Sequence, residues 1–279
     1  DLKNSYLKFK IVSSNGTDLS TTFDNSAYCL FDRIVVSSKS VVLDELRNVG
    51  SWYNLALSLE NLPMLGNNNP IGQSSFAKTP WKGQNVTNVA KTISLPFTHG
   101  LWSSDKYLPL FAEGGLEIEF YLNPINKALL STTQDLGSFT LSNVEFCFPM
   151  MMLDDKTFSS LNSSVNNYDM DVHSVFNYQV AVEANSKSEN HIIPARYSSV
   201  NSLILMMRNS DDAQTINKMK YSSRSANNLI SLQAKHKGGL YPKQALTRST
   251  NGTDGIQDQN ARVSAEMYFE SLGTYNSIN

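Results

Sequence analysis

From Gly114 to Asn123 the chain reads Gly-Gly-Leu-Glu-Ile-Glu-Phe-Tyr-Leu-Asn, with a large apolar residue at every second place. Strand side chains alternate between faces, so this period-two pattern predicts a half-buried β-strand and is incompatible with an amphipathic helix. Leu116, Ile118, Phe120 and Leu122 are expected to face a core, and Glu117, Glu119 and Asn123 to face water. Gly114-Gly115 and Asn123-Pro124 supply breakers at the two ends. A second long run follows from Phe139 to Phe148, in which Phe139 and Leu141 hold one phase while Val144, Phe146 and Phe148 hold the other. That change of phase predicts a β-bulge near Ser142-Asn143.

The remaining chain supports an all-β class. Tyr6–Val12 alternates, with a turn at Ser14-Asn15-Gly16-Thr17. Cys29–Val36 reads as a strand whose hairpin resumes at Val41-Val42-Leu43 beyond Ser37–Ser40. Leu46, Val49, Tyr53 and Leu57 are nearer to helical spacing, with Asp44 as the candidate cap and Gly50 as an interruption. Residues 61–92 hold too many Pro, Gly and Asn residues for regular structure and predict an ordered insert pinned by Phe76, Trp81 and Val86. Thr92–Phe97 alternates again, and Met150–Leu153 is expected to be adaptable core. Residues 159–174 are Ser- and Asn-rich and predict a linker. Further strands are expected at 176–182, 200–208 and 229–234, with a Gly238-Gly239 turn, and 263–272 is ambiguous with some helical spacing. The sum is two β-rich segments, 1–158 and 175–279, for which jelly-roll packing limits exposed edges.

Composition narrows the function classes. Charged residues make up 17% of the chain, against roughly 25% for an ordinary soluble domain. Ser, Asn, Thr and aromatic residues fill the gap, as on surfaces destined to be covered by neighbours. The formal charge of −2 offers no basic patch for nucleic acid, so no specific nucleic-acid partner is expected. No apolar run approaches the roughly 20 residues of a membrane span, and no targeting signal is visible in the chain as given. Cys29 and Cys147 lie in apolar runs and are expected to be free, buried thiols. The sequons at Asn15, Asn85, Asn162 and Asn251 are expected by chance in so Asn- and Ser-rich a chain.

A catalytic constellation is not found. Asp169, Asp171 and His173 offer oxygen and nitrogen donors within one short stretch, but without a further ligand cluster they read as solvated linker. Glu117 and Glu119 share a strand face at about 7 Å, near the separation of paired glycosidase carboxylates. Outward acids of this kind are more often solvated or ion-paired. His99, His191 and His236 stand singly and read as loop residues, and neither glycine pair has the context of a phosphate loop. The chain is therefore read as a non-enzyme with no cofactor and no metal.

Four stretches carry a resemblance to a known family. Tyr6–Leu19, Asp24–Val42 with Asn25 ahead of Cys29–Val36, Leu108–Asn123, and Ile193–Leu203 followed by Tyr241-Pro242 are similar to stretches of the major capsid proteins of double jelly-roll viruses, of the virophage, polinton-like virus and adintovirus type. The resemblance implies two jelly rolls in tandem. Residues 1–158 would form the first with its insert at 61–92, 159–174 the linker, and 175–279 the second. Two full rolls ordinarily need a longer chain, so the second is expected to be incomplete or the whole compact. It further implies homotrimeric capsomers of an icosahedral shell in the virion, meeting neighbouring capsomers and other capsid proteins such as a penton or minor protein. Trp52, Trp81 and Trp102 are the candidate interface anchors, since Trp is enriched at hot spots, and core or loop packing is the plain alternative for each. The rival readings are a single jelly-roll capsid or spike protein of another viral lineage, and a carbohydrate-binding β-sandwich with an aromatic platform.

Overall fold

The computed structural model describes residues 1–14, 21–24, 26–59, 82–85, 90–109, 114–131, 138–164, 169–183, 185–194, 197, 199–208, 221, 231–236 and 238–247. It is mostly antiparallel β-structure with a few short helices, and it divides into two compact units, 1–194 with 211–222 and 195–210 with 223–279. The Asn-Gly turn after Ser14, Phe76, Trp81 and Val86 of the insert, and 263–272 lie outside the described residues.

In the first unit β1 (Tyr6–Ser14) is central to one sheet, between β6 (Lys91–Pro96) and β9 (Ser138–Cys147). Its alternation is obeyed: Leu7, Phe9 and Ile11 are buried while Lys10 is exposed. Each such burial is worth roughly 1.5–3 kcal/mol, which pins the register, because a slip of one residue would turn all three to water. A second sheet has the order β4 (Val41–Arg47), β3 (Phe31–Ser38), β7 (Glu117–Leu122). A third sets β2 (Thr21–Asp24) between β5 (Lys82–Asn85) and β8 (Leu129–Ser131). The first two sheets meet through aromatic rings, Phe9 edge-on to Phe31 at 6.2 Å and Phe97 tilted on Phe120 at 5.7 Å. One core cluster draws on β1, β2, β3, β4 and β6 together.

The bulge forecast from the phase change in β9 is present. Lys8 faces Glu145 and Lys10 faces Ser142, so Asn143 and Val144 together oppose Phe9, and Asn143 takes the left-handed φ of 50°. The β3–β4 hairpin turns at Lys39-Ser40, both with positive φ, as two-residue hairpin turns require.

Several expectations are corrected. Cys29 and Leu30 belong to a 3-10 turn, Ala27–Leu30, and not to the strand that follows. The turn is held from outside: Cys29 Sγ donates to Ala128 O at 2.8 Å, and Asn123 Nδ2 donates to Cys29 O at 2.9 Å. Asp44 lies in β4, so helix α1 (Val49–Leu59) starts later than its apolar spacing suggested. Gly50 does not interrupt it, and the absence of a side chain there admits close neighbours, since a Cβ would stand 3.0 Å from the Cys29 Cα and 3.1 Å from the Tyr221 ring. After β7 comes a single helical turn, α2 (Ile125–Ala128). The end of β7 is inverted, with Leu122 exposed and Asn123 buried. At the same place the register against β3 shifts, with Phe31 facing Leu122 and Arg33 already facing Tyr121.

Met150, Met151 and Met152 are exposed rather than core. The Ser- and Asn-rich stretch begins as helix α3 (Asp155–Ser164), whose first turn is capped by Asp154 accepting from the Thr157 N–H at 3.0 Å. Residues 176–182 and 200–208 lie outside the sheets. In the second unit β10 (Ser231–His236) and β11 (Gly239–Thr247) form a hairpin, with Gly238 at φ 84° in the turn.

Candidate functional site

The densest buried polar group of the first unit gathers at the end of β6. His99 keeps the inward phase of Ile93, Leu95 and Phe97, so its imidazole enters the core and not a loop surface. Tyr53 reaches it from α1, its hydroxyl 2.8 Å from His99 Nδ1 while accepting from the Thr98 N–H at 2.9 Å. Asp44 approaches from β4, with Oδ2 3.9 Å from His99 Nε2. Among the described residues neither of these two atoms has a hydrogen-bond partner. A carboxyl facing Nε2 favours the ring proton there, so the Tyr53 hydroxyl donates to Nδ1. Burial holds the imidazole far below its ordinary value, at about 3, and pushes the Asp44 carboxyl up.

Gly100 makes the approach feasible, since a Cβ on it would fall 1.8 Å from Asp44 Oδ2. The constellation has the partners of a proton relay but is sealed, with His99 1% exposed. It can store or exchange a proton when the surrounding structure opens, and it presents nothing to a substrate in the closed form. A period-two count continued past β6 from Ile93 and Leu95 through Phe97 would have placed His99 inside; no comparable signal marks Asp44.

The residues singled out from the sequence do not converge. Asp169 and His173 are used through their backbones, accepting from Lys106 Nζ at 2.6 Å and from the Gly100 N–H at 2.8 Å. Among the described residues no three His, Cys, Asp or Glu side chains gather as metal ligands. Glu119 accepts from the Tyr121 hydroxyl, over whose ring the Arg33 guanidinium stacks at 3.8 Å, while Glu117 is exposed. His191 pairs with Glu189 at 2.8 Å on a shallow polar surface, and His236 ends β10. Cys29 and Cys147 are free thiols, the first buried and the second half-buried.

Trp102 is wholly within the core, donating from Nε1 to Ser5 Oγ at 2.9 Å. Trp52 is half-buried against the core on α1, and Trp81 lies outside the described residues.

The surface offers a different kind of candidate. Met152 is 86% and Ile192 91% exposed. Val180, Val182, Val200, Leu203 and Leu205 are all more than half exposed. Scattered apolar residues are ordinary, whereas exposed apolar positions gathered in stretches that belong to no sheet are a candidate contact surface. Among the described residues no helix is long and apolar enough to cross a membrane.

Comparison with protein-family models, curated proteins and solved structures finds no match to this chain.

Proposed function

We propose that the chain is a structural capsid protein of the double jelly-roll type, which self-associates into trimeric capsomers of an icosahedral shell. The observation that carries this reading is apolar exposure in each unit taken by itself: Val180 and Val182 in the first and Leu203 and Leu205 in the second are left to water at alternate positions. Burying a side chain of this size is worth roughly 1.5–3 kcal/mol, so several together favour association strongly. The low charge of the chain lowers the desolvation cost of covering such a surface. Antiparallel sheets sharing one core are the material from which a jelly roll is built. The tandem of two rolls is the finer form of the same reading and comes from the resemblance of the four stretches.

The test is size-exclusion chromatography with light scattering, followed by negative-stain imaging. A trimer or larger ring with pseudo-sixfold outline is the expected result. A monomer at micromolar concentration that binds oligosaccharide would overturn the proposal in favour of a carbohydrate-binding sandwich.

A further inference from the structure

Residues 169–177 cross the edge of the sheet formed by β4, β3 and β7, and they are stitched down along their length. Lys106 Nζ donates to Asp169 O at 2.6 Å, the Gly100 N–H donates to His173 O at 2.8 Å, and the His173 N–H donates to Ser103 Oγ at 2.8 Å. The Ser174 hydroxyl bonds the Asp44 carboxyl, and Asn177 Nδ2 donates to Arg47 O at 3.5 Å. The two central attachments fall on Gly100, which follows His99 in the chain, and on Asp44, which faces its Nε2.

We propose that residues 169–177 form a strap locked by the neutral imidazole of His99, and that proton uptake at His99 releases it. The geometry supplies the reason. Nε2 of His99 and Oδ2 of Asp44 stand 3.9 Å apart, and among the described residues neither has a hydrogen-bond partner. A second proton on the imidazole would place a charge in a sealed, mostly aromatic surround of Tyr53, Phe97 and Trp102. The strap is hydrogen-bonded to both Gly100 and Asp44, so its release is the opening that admits water to that charge. The titratable groups in contact with His99 are Asp44 from β4 and Tyr53 from α1; Glu45 follows Asp44 in the chain, and the strap itself carries Asp169, Asp171 and His173, with Lys106 bonded to its start.

The closed-state value of His99 is depressed, to about 3 from an ordinary 6.5. Closed-state stability is therefore lost as pH falls below about 6.5, by about tenfold per unit for one proton. The closed-state value of Asp44 is raised from 3.8, so Asp44 favours the closed strap at low pH and loses that contribution as pH rises through its raised value. Release is thus driven between about 6.5 and the pH at which Asp44 protonates. Below that point opening only moves a proton from Asp44 to His99, and the dependence flattens.

Hydrogen–deuterium exchange on the full chain between pH 7.5 and 5, corrected for intrinsic exchange rates, tests this. Protection of the peptide covering 169–177 should fall about tenfold per unit below about 6.5 while the β1 peptide stays protected. His99→Gln should hold the strap with no loss of protection as pH falls, and Asp44→Asn should remove the flattening at the acid end. Should these variants not fold, the His99 ring resonances of the unmodified chain give the answer, since they should titrate only together with loss of strap protection. A pH-flat strap, a His99→Gln chain with the original slope, or a ring that titrates near 6.5 under a protected strap would each overturn the proposal. The measurement lies within one chain. An oligomer with a pH-flat strap sinks only the strap, and a monomer with an acid-released strap sinks only the capsid reading.

Discussion

At the scale of single residues, glycine conformation separates two kinds of constraint. Gly100 has φ 56° and no room, because a Cβ would meet Asp44 Oδ2 at 1.8 Å, whereas Gly115 has φ 114° and nothing within 4 Å. Gly115→Ala is expected to cost only the backbone strain, roughly 1–2 kcal/mol. Gly100→Ala adds displacement of a buried carboxyl and should cost at least about twice that. Urea denaturation of the two variants checks the order, and equal losses would refute the close approach. Neither position stood out in the sequence, where Gly115 read simply as a breaker and Gly100 was not singled out.

Asn123 makes the complementary point. The period-two count sent it to water, yet it is buried with Nδ2 donating to Cys29 O and to the Tyr221 hydroxyl at 2.8 Å. Asp24, buried beside the same aromatic, accepts the Tyr221 N–H at 2.6 Å. Both contacts come from residues far away in the chain, which no local pattern contains.

At the scale of elements, β9 shows how much a pattern reveals when it includes its own defect. The bulge was legible because Phe139 and Leu141 are out of phase with Phe146, and the structure absorbs the mismatch at Asn143-Val144 opposite Phe9. Deleting Asn143 should leave Phe139, Leu141 and Phe146 on the core side, now with a continuous ladder. Deleting Thr140 should turn Phe139 outward and expose part of a large aromatic. The Thr140 deletion is therefore expected to lower the melting temperature more than the Asn143 deletion, by several degrees if about 1–2 kcal/mol of burial is lost. Circular dichroism melts distinguish them. At the other end of β7 a register shift of the same kind was invisible, since it arises in the pairing with β3 and leaves no trace in the alternation of β7 itself. Helix α1 lies between these cases: its spacing was legible, but β4 claims the residues up to Arg47 through its ladder with β3.

At the scale of the whole molecule, the proposed assembly makes the exposed apolar positions the sensitive ones. Val180→Lys with Leu203→Lys is expected to shift a trimer to monomer in light scattering while the melting transition of the monomer is unchanged, because both side chains are more than half exposed. Loss of folding with unchanged association would refute that assignment. The sequence by itself determined the β-class, the core faces of β1 and β6, and the bulge of β9, because alternation is a local property that burial converts directly into register. Only the tertiary structure decided that Trp102 and His99 are interior, that Asn123 is buried and Leu122 is not, and that 176–182 and 200–208 lie outside the sheets. Those outcomes depend on which distant strand, helix or carbonyl arrives opposite a residue, and hydrogen-bond satisfaction and close packing between distant segments leave no period in the chain that carries them.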